Sequence, residues 1–189
     1  MEKVYKMINY SIPGWMSTNE LLWLHETSKQ MKSVLEIGSF KGRSTYALCT
    51  GCPGIVFAVD KFEGDPTVFG GVNFYQDFYN NVGHFTNLVI FRDDSIYASQ
   101  FFRPRSIDMI FIDGDHTKEG VIRDILAWEP ICNKLLCGHD LRPWQGHEWT
   151  KGESEVKTAL DELKIDYKNI IDSIWTCLLY TSDAADDLL

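Results

Sequence analysis

The sequence predicts an α/β fold, a mostly parallel sheet with helices on both faces. Three observations point there. Short apolar runs alternate with stretches of helical character. The runs are continuous rather than alternating, as strands buried on both faces are. Most of them end in acidic or glycine-rich sequence, the composition of a ligand-binding sheet edge.

Each element has its own signal. Ser17-Thr18-Asn19-Glu20 offers caps for a first helix carrying Leu21, Leu22, Leu24 and His25. Ser33 to Ile37 predicts a buried strand ending at Gly38, and Gly42 to Cys49 the helix after it. Ile55 to Val59, closed by Asp60, is a second strand. A Gly/Pro-rich loop then leads to a helix over Val72 to Val82. Leu88 to Phe91 is a third strand, followed by Asp93-Asp94-Ser95, and Ile107 to Ile112 a fourth, ending at Asp113. Thr117 to Trp128 is helical, with Val121, Ile122, Ile125 and Leu126 as its apolar stripe. Lys134 to Cys137 opens a fifth strand that leads to Gly138-His139-Asp140. Glu155 to Leu163 predicts a helix and Ile170 to Trp175 a last strand. Repeats, low-complexity tracts and a clear linker are absent from the sequence, so one domain is the economical assignment.

Composition narrows the function classes. The chain has 189 residues, is 44% hydrophobic and 24% charged, and carries a formal net charge of −9. That is globular composition, not disordered or fibrous. The negative balance argues against nucleic acid as the partner. No apolar run approaches the roughly 18–20 residues of a bilayer span. Met1 to Tyr10 lacks the apolar stretch of a secretory signal, so a cytoplasmic location is expected. Five cysteines (Cys49, Cys52, Cys132, Cys137 and Cys177), mostly within apolar runs, read as buried thiols in a reducing compartment. Cys49 and Cys52 have the spacing of a redox pair or half a zinc site, but no second pair stands at ligand spacing.

The strand ends carry the chemistry. Glu36, Asp60, Asp94, Asp113 and Asp140 would gather on one edge of the sheet, where they repel one another unless a cation or an ammonium-bearing ligand relieves them. Gly38 permits a sharp turn close to a ligand, and Gly42 a helix start packed near it. Backbone amides and the Ser44 hydroxyl there can hold a carboxylate. Phe40 and the lack of G-x-G-x-x-G stand against a dinucleotide. Asp60 is placed to bond ribose hydroxyls.

The segment EIGSFKGRST resembles the first motif of class I S-adenosylmethionine-dependent methyltransferases. Its E-x-G-x-x-x-G-x-S form looks most like the catechol and caffeoyl-CoA O-methyltransferase branch. With FIDGDHTKEGVIRDILAW and GHD, the pattern from Ile12 to Trp175 is closer still to small enzymes of methyltransferase family 24 type that modify sugars and natural products. The resemblance implies a Rossmann-like, doubly wound sheet with S-adenosylmethionine across its strand ends. It implies that Glu36, Gly38, Ser39, Gly42 and Ser44 hold the methionine part, Asp60 the ribose, and Asp94 and Ser95 the adenine side. Asp113 would touch the donor and ligate a divalent metal, Mg²⁺ or a similar ion, with Asp140 as second ligand. His139 and Leu141 stand where relatives often have another acid or an amide. His139 could replace an oxygen ligand, favouring a softer ion, or leave the site weaker or empty. His116 sits at the offset of the family's general base, with a helix cap as the lesser alternative. The implied acceptor is a hydroxyl of a sugar or other small metabolite, and such enzymes often form homo-oligomers. A different Rossmann-type enzyme and a non-catalytic donor-binding module stay open as alternatives.

Four regions carry weaker signals. Arg142, Trp144, His147 and Trp149 follow the fifth strand and fit either a cover for a sugar or a lid. Trp15 fits either an acceptor edge or the core, Trp128 and Trp175 are assigned to the core, and Arg103 and Arg105 to solvent. Finally, Cys177 to Asp187 (CLLYTSDAADD) resembles the translation of a transposase-derived sequencing adapter. The native domain is therefore expected over 1–176, with 177–189 as read-through; a genuine acidic C-terminus is the alternative.

Overall fold

The computed structural model describes residues 8–64, 70–142 and 154–178. In chain order these form α1 (Thr18–Ser28), β1 (Ser33–Ile37), α2 (Arg43–Gly51), β2 (Ile55–Val59), α3 (Tyr75–Val82), β3 (Leu88–Phe91) and α4 (Ser95–Ser99). Then come β4 (Ile107–Ile112), α5 (Lys118–Trp128), β5 (Cys132–Gly138), α6 (Glu155–Glu162), β6 (Lys168–Ile171) and β7 (Ile174–Leu178). The strands make one sheet in the order β3-β2-β1-β4-β5-β7-β6. β1, β2, β3, β4 and β5 pair in parallel, and β7 runs antiparallel to both its neighbours.

Alternation along each strand divides the core between two faces. Met109 and Phe111 of β4 join Val34, Leu21, Leu24, Ala47 and Leu48 under α1 and α2. Ile110 and Ile112 join Leu35, Val121, Ile125 and Leu160 under α5 and α6. All six residues of β4 are buried, as a central parallel strand requires. Helices on both faces of a doubly wound sheet are what the apolar runs predicted.

Three local expectations are corrected. The single last strand is a hairpin: Asp172, at φ 43°, turns the chain between β6 and β7. β7 extends through Cys177 and Leu178, paired with Leu136 and Leu135. In α5 the buried stripe is Val121, Asp124, Ile125 and Trp128, whereas Leu126 is 62% exposed. At about 100° per residue, Leu126 lies well round the helix from Val121. The α4 turn, capped by Asp94, was missed by the hydrophobic pattern because it is so short.

The order of strands reverses between β1 and β4, the central strand of the sheet. At such a switch the loops leaving the carboxyl ends diverge to opposite faces and open a crevice. Gly38 makes the approach of the two loops possible. It lies at φ +82°, and a Cβ there would stand 2.1 Å from the Asp113 carbonyl oxygen.

A carboxylate and imidazole cluster at the sheet switch

Glu36 is fully buried on β1. Its Oε2 accepts from Ser39 Oγ at 2.8 Å and from Thr45 Oγ1, and the Ser44 hydroxyl also supports it. Oε1 is buried without a hydrogen-bond partner. Burial pushes the carboxyl up to about 7, against those hydroxyls and with the charge of Asp60. Ser39 and Thr45 therefore hold the buried acid, and the Ser44 hydroxyl favours its ionised form. Thr45, absent from the sequence assignment, belongs to the same group. Gly42, at φ +88°, caps α2 without a side chain and packs against Val82.

Asp60 closes the glycine loop. Oδ2 accepts from the amides of Ser39 and Phe40 at 2.7 and 2.8 Å, and Oδ1 from the Phe62 amide at 2.6 Å. These bonds hold Phe40 at φ 46°, where a side chain is rarely found. A carboxylate has roughly four acceptor positions, so Asp60 retains room for about one further donor.

Asp94 and Ser95 lie apart from this group, beyond β3. Asp94 caps α4 and pairs with Lys61 at 2.8 Å, which with two backbone amides holds its carboxyl below the usual range. Ser95 Oγ donates to Asp124, a buried acid pushed up to about 6 chiefly by burial. Asp115 pairs with Arg123 at 3.6 Å, and both side chains are exposed.

The densest chemistry lies at the ends of β4 and β5. One ligand atom each from Asp113, His139 and Asp140 can be chosen so that all lie within 4.8 Å of one another. His139 Nδ1 is 3.1 Å from Asp140 Oδ1 and 3.6 Å from Asp113 Oδ1. Its Nε2 donates to Glu20 Oε1 at 2.9 Å. His116 Nδ1 meets the other oxygen of Asp140 at 3.0 Å. Burial disfavours the imidazolium of His139, but Asp113, Asp140 and Glu20 outweigh it and push its pKa up to about 11. The same contest leaves His116 at about 9, raised mainly by its bond to Asp140. Burial lifts Asp113 to about 7, whereas the two imidazoles hold Asp140 well below the usual carboxylate range. His116 is paired with Asp140; the cap of α5 is Thr117, which accepts from the Gly120 amide.

The structure thus brings together Glu36, Ser39, Ser44, Asp113, His116, His139 and Asp140, and sets Asp60 beside them. Glu20 was legible only as a helix cap. Trp15 is 55% exposed and stands 5.1 Å from Phe40, outside the core; Trp128 and Trp175 are fully buried. Arg105 is exposed but tied to the Cys132 carbonyl at 2.6 Å. All five cysteines are buried free thiols, and burial raises Cys49 and Cys52 above their ordinary value. Trp144, His147 and Trp149 lie outside the described residues. Among the described residues no helix is long and apolar enough to cross a membrane.

The family profile described as "Methyltransferase domain" matches residues 35–140, more than half of the chain. The chain belongs to this methyltransferase family. Its fold is that of the class I S-adenosylmethionine-dependent enzymes. An O-methyltransferase from Bacillus cereus, solved with S-adenosylhomocysteine, is 15% identical with a TM-score of 0.62, covering 94% of this chain and 89% of that one. The O-methyltransferase TomG from Streptomyces achromogenes, involved in tomaymycin synthesis and solved with S-adenosylmethionine, is 15% identical with a TM-score of 0.62, covering 89% and 82%. The Podospora anserina methyltransferase PaMTH1, bound to S-adenosylhomocysteine, is 14% identical with a TM-score of 0.64, covering 96% and 87%. No sequence among the curated proteins is a significant match.

Proposed function

We propose that the protein transfers a methyl group from S-adenosylmethionine to a hydroxyl of a sugar or other small metabolite, assisted by a divalent cation. The observation that carries this reading is the gathering of Glu36, Asp113, His116, His139 and Asp140 at the β1/β4 switch of a methyltransferase fold.

The residues fit both groups. Glu36 Oε1, buried and unpartnered, suits the ammonium of the methionine part. Asp60 takes about one ribose hydroxyl beside its three amides, rather than both. Asp94 and Ser95, at the β3 end, border the adenine side. When bound, the donor supplies an electrophilic methyl carbon on a sulfonium. Asp113, His139 and Asp140 hold the cation, whose chemistry is to acidify an acceptor hydroxyl and fix its direction. A nitrogen among the ligands favours Mn²⁺, Co²⁺ or Zn²⁺ over Mg²⁺.

His116 receives the hydroxyl proton. Its bond to Asp140 keeps it protonated at neutral pH in the cation-free site. Neutralising Asp140 returns the imidazole towards its ordinary value, where it accepts a proton. Calorimetry with S-adenosylhomocysteine is the first test. Binding is expected, weakened by Glu36→Ala; a folded sample that binds nothing overturns the reading. A methylation assay over sugar and natural-product hydroxyls, with and without Mn²⁺, tests the acceptor class.

A further inference from the structure

Glu20 lies in the first turn of α1 and is 2% exposed. A carboxylate so placed needs partners for both oxygens. Oε2 accepts from the Ser17 amide at 2.7 Å and completes the capping box. Oε1 does something the helix does not require. It accepts from His139 Nε2 at 2.9 Å and from the Ser173 amide at 3.0 Å. The far nitrogen of His139 is thereby anchored, and Nδ1 is turned towards Asp140 Oδ1 and Asp113 Oδ1, at 3.1 and 3.6 Å.

From this geometry we infer that Glu20 is a positioning residue of the site: it fixes the His139 ring and keeps a proton on Nε2, so that Nδ1 offers its lone pair to a divalent cation held by Asp113 and Asp140. The inference rests on the cation reading proposed above. An imidazole whose outer N–H is held by a carboxylate is a better-oriented and more basic ligand. Binding of a cation there would release any Nδ1 proton to solvent. α1 is then part of the site, since one side chain both starts the helix and aims a ligand.

Two variants of the full chain separate these roles. Glu20→Gln keeps the shape of the side chain but not its charge. Ser17→Ala removes the hydroxyl half of the capping box and leaves the contact with His139. In metal-free protein labelled with ¹⁵N-histidine, the Nε2 proton of His139 should give a low-field resonance protected from exchange. It is expected in the unaltered protein and in Ser17→Ala, and shifted or lost in Glu20→Gln. In a Co²⁺ titration followed by visible absorption, Glu20→Gln should bind about tenfold or more weakly, and Ser17→Ala as the unaltered protein does. An unmoved resonance in Glu20→Gln, an unchanged Co²⁺ affinity there, or an equal loss in Ser17→Ala overturns the inference. Absence of Co²⁺ uptake by an unaltered protein that shows the resonance overturns the cation reading itself, and with it the ligand role of Nδ1.

Discussion

Replacing Glu36 by Gln tests the electrostatics of the crevice at their most buried point. Glu36 is 0% exposed, and burial lifts its carboxyl from 4.5 to about 7. A shift of this size, at about 1.4 kcal/mol per unit, is on the order of 3 kcal/mol. The sign follows from proton counts. Between the two values the native state binds more protons than the unfolded chain, so stability falls as pH rises. The contribution is complete below 4.5 and lost as pH passes through about 7. Glu36→Gln removes this titration while keeping an acceptor for Ser39 and Thr45. Urea unfolding in EDTA, across mildly acidic to mildly alkaline buffers, should give similar stabilities at the acid end. At the alkaline end the variant should be more stable by about 3 kcal/mol. Asp113 titrates over the same range, so the difference between the two proteins, not either curve alone, reports Glu36. Parallel curves refute the reasoning. Donor binding should act on the same proton: an ammonium beside Oε1 restores the ionised form. Calorimetry in buffers of different ionisation enthalpy should then show proton release with S-adenosylhomocysteine in the unaltered protein and much less in Glu36→Gln.

Gly38→Ala places a Cβ on the Asp113 carbonyl at positive φ and should cost at least about 2 kcal/mol in the same unfolding assay; a smaller loss refutes the close loop approach. Asp60→Ala frees the amides of Ser39, Phe40 and Phe62 and should weaken S-adenosylhomocysteine about tenfold or more, and undiminished affinity in calorimetry counts against it. Asp140→Asn removes the partner that holds His116 at about 9, so its ring-proton titration by NMR should move down towards 6.5; an unmoved midpoint contradicts the pairing. Cation uptake should release protons and tighten with pH, since Nδ1 of His139 must lose its proton; pH-independent Mn²⁺ affinity argues against His139 as a ligand.

Legibility in the sequence tracked the locality of each signal. Continuous apolar runs located β1 to β4 closely, because a strand buried on both faces tolerates few polar residues. The glycines at 38 and 42 marked turns that only positive φ allows. Two kinds of feature were hidden. One was short: α4 is a single capped turn, and the β6–β7 hairpin turns on Asp172 and Ser173, turn-forming residues too few to break the apolar run from Ile170 to Trp175. The other was long-range. Glu20 read as the fourth member of a capping box, and it is one. Nothing local indicates that its second oxygen meets His139 across the fold. Likewise Asp60 was read as a ribose acid, while its bonds to loop amides arise only when β2 is set beside β1.

Charge decides why the cluster is tolerable at all. Glu20, Asp113 and Asp140 converge on His139, and Glu36 adds to the field at Asp113. Without positive charge, neighbouring buried carboxylates force one another towards the protonated form. In this state the charge comes from imidazolium. His139 sits between three acids, and His116 holds the outer oxygen of Asp140. Asp140, at φ 57°, turns its two oxygens to the two rings, a conformation that costs on the order of 1 kcal/mol for a residue with a side chain. The cation proposed for Asp113, His139 and Asp140 would supply the same positive charge at one point. It would displace the Nδ1 proton of His139 to solvent and weaken the hold of Asp140 on His116. On the proposed reading the cluster is balanced by protons or by a cation, and only in the second condition would His116 be free to take a proton from an acceptor hydroxyl. Glu20 would keep the same partner in both conditions, so the orientation of His139 should survive the exchange.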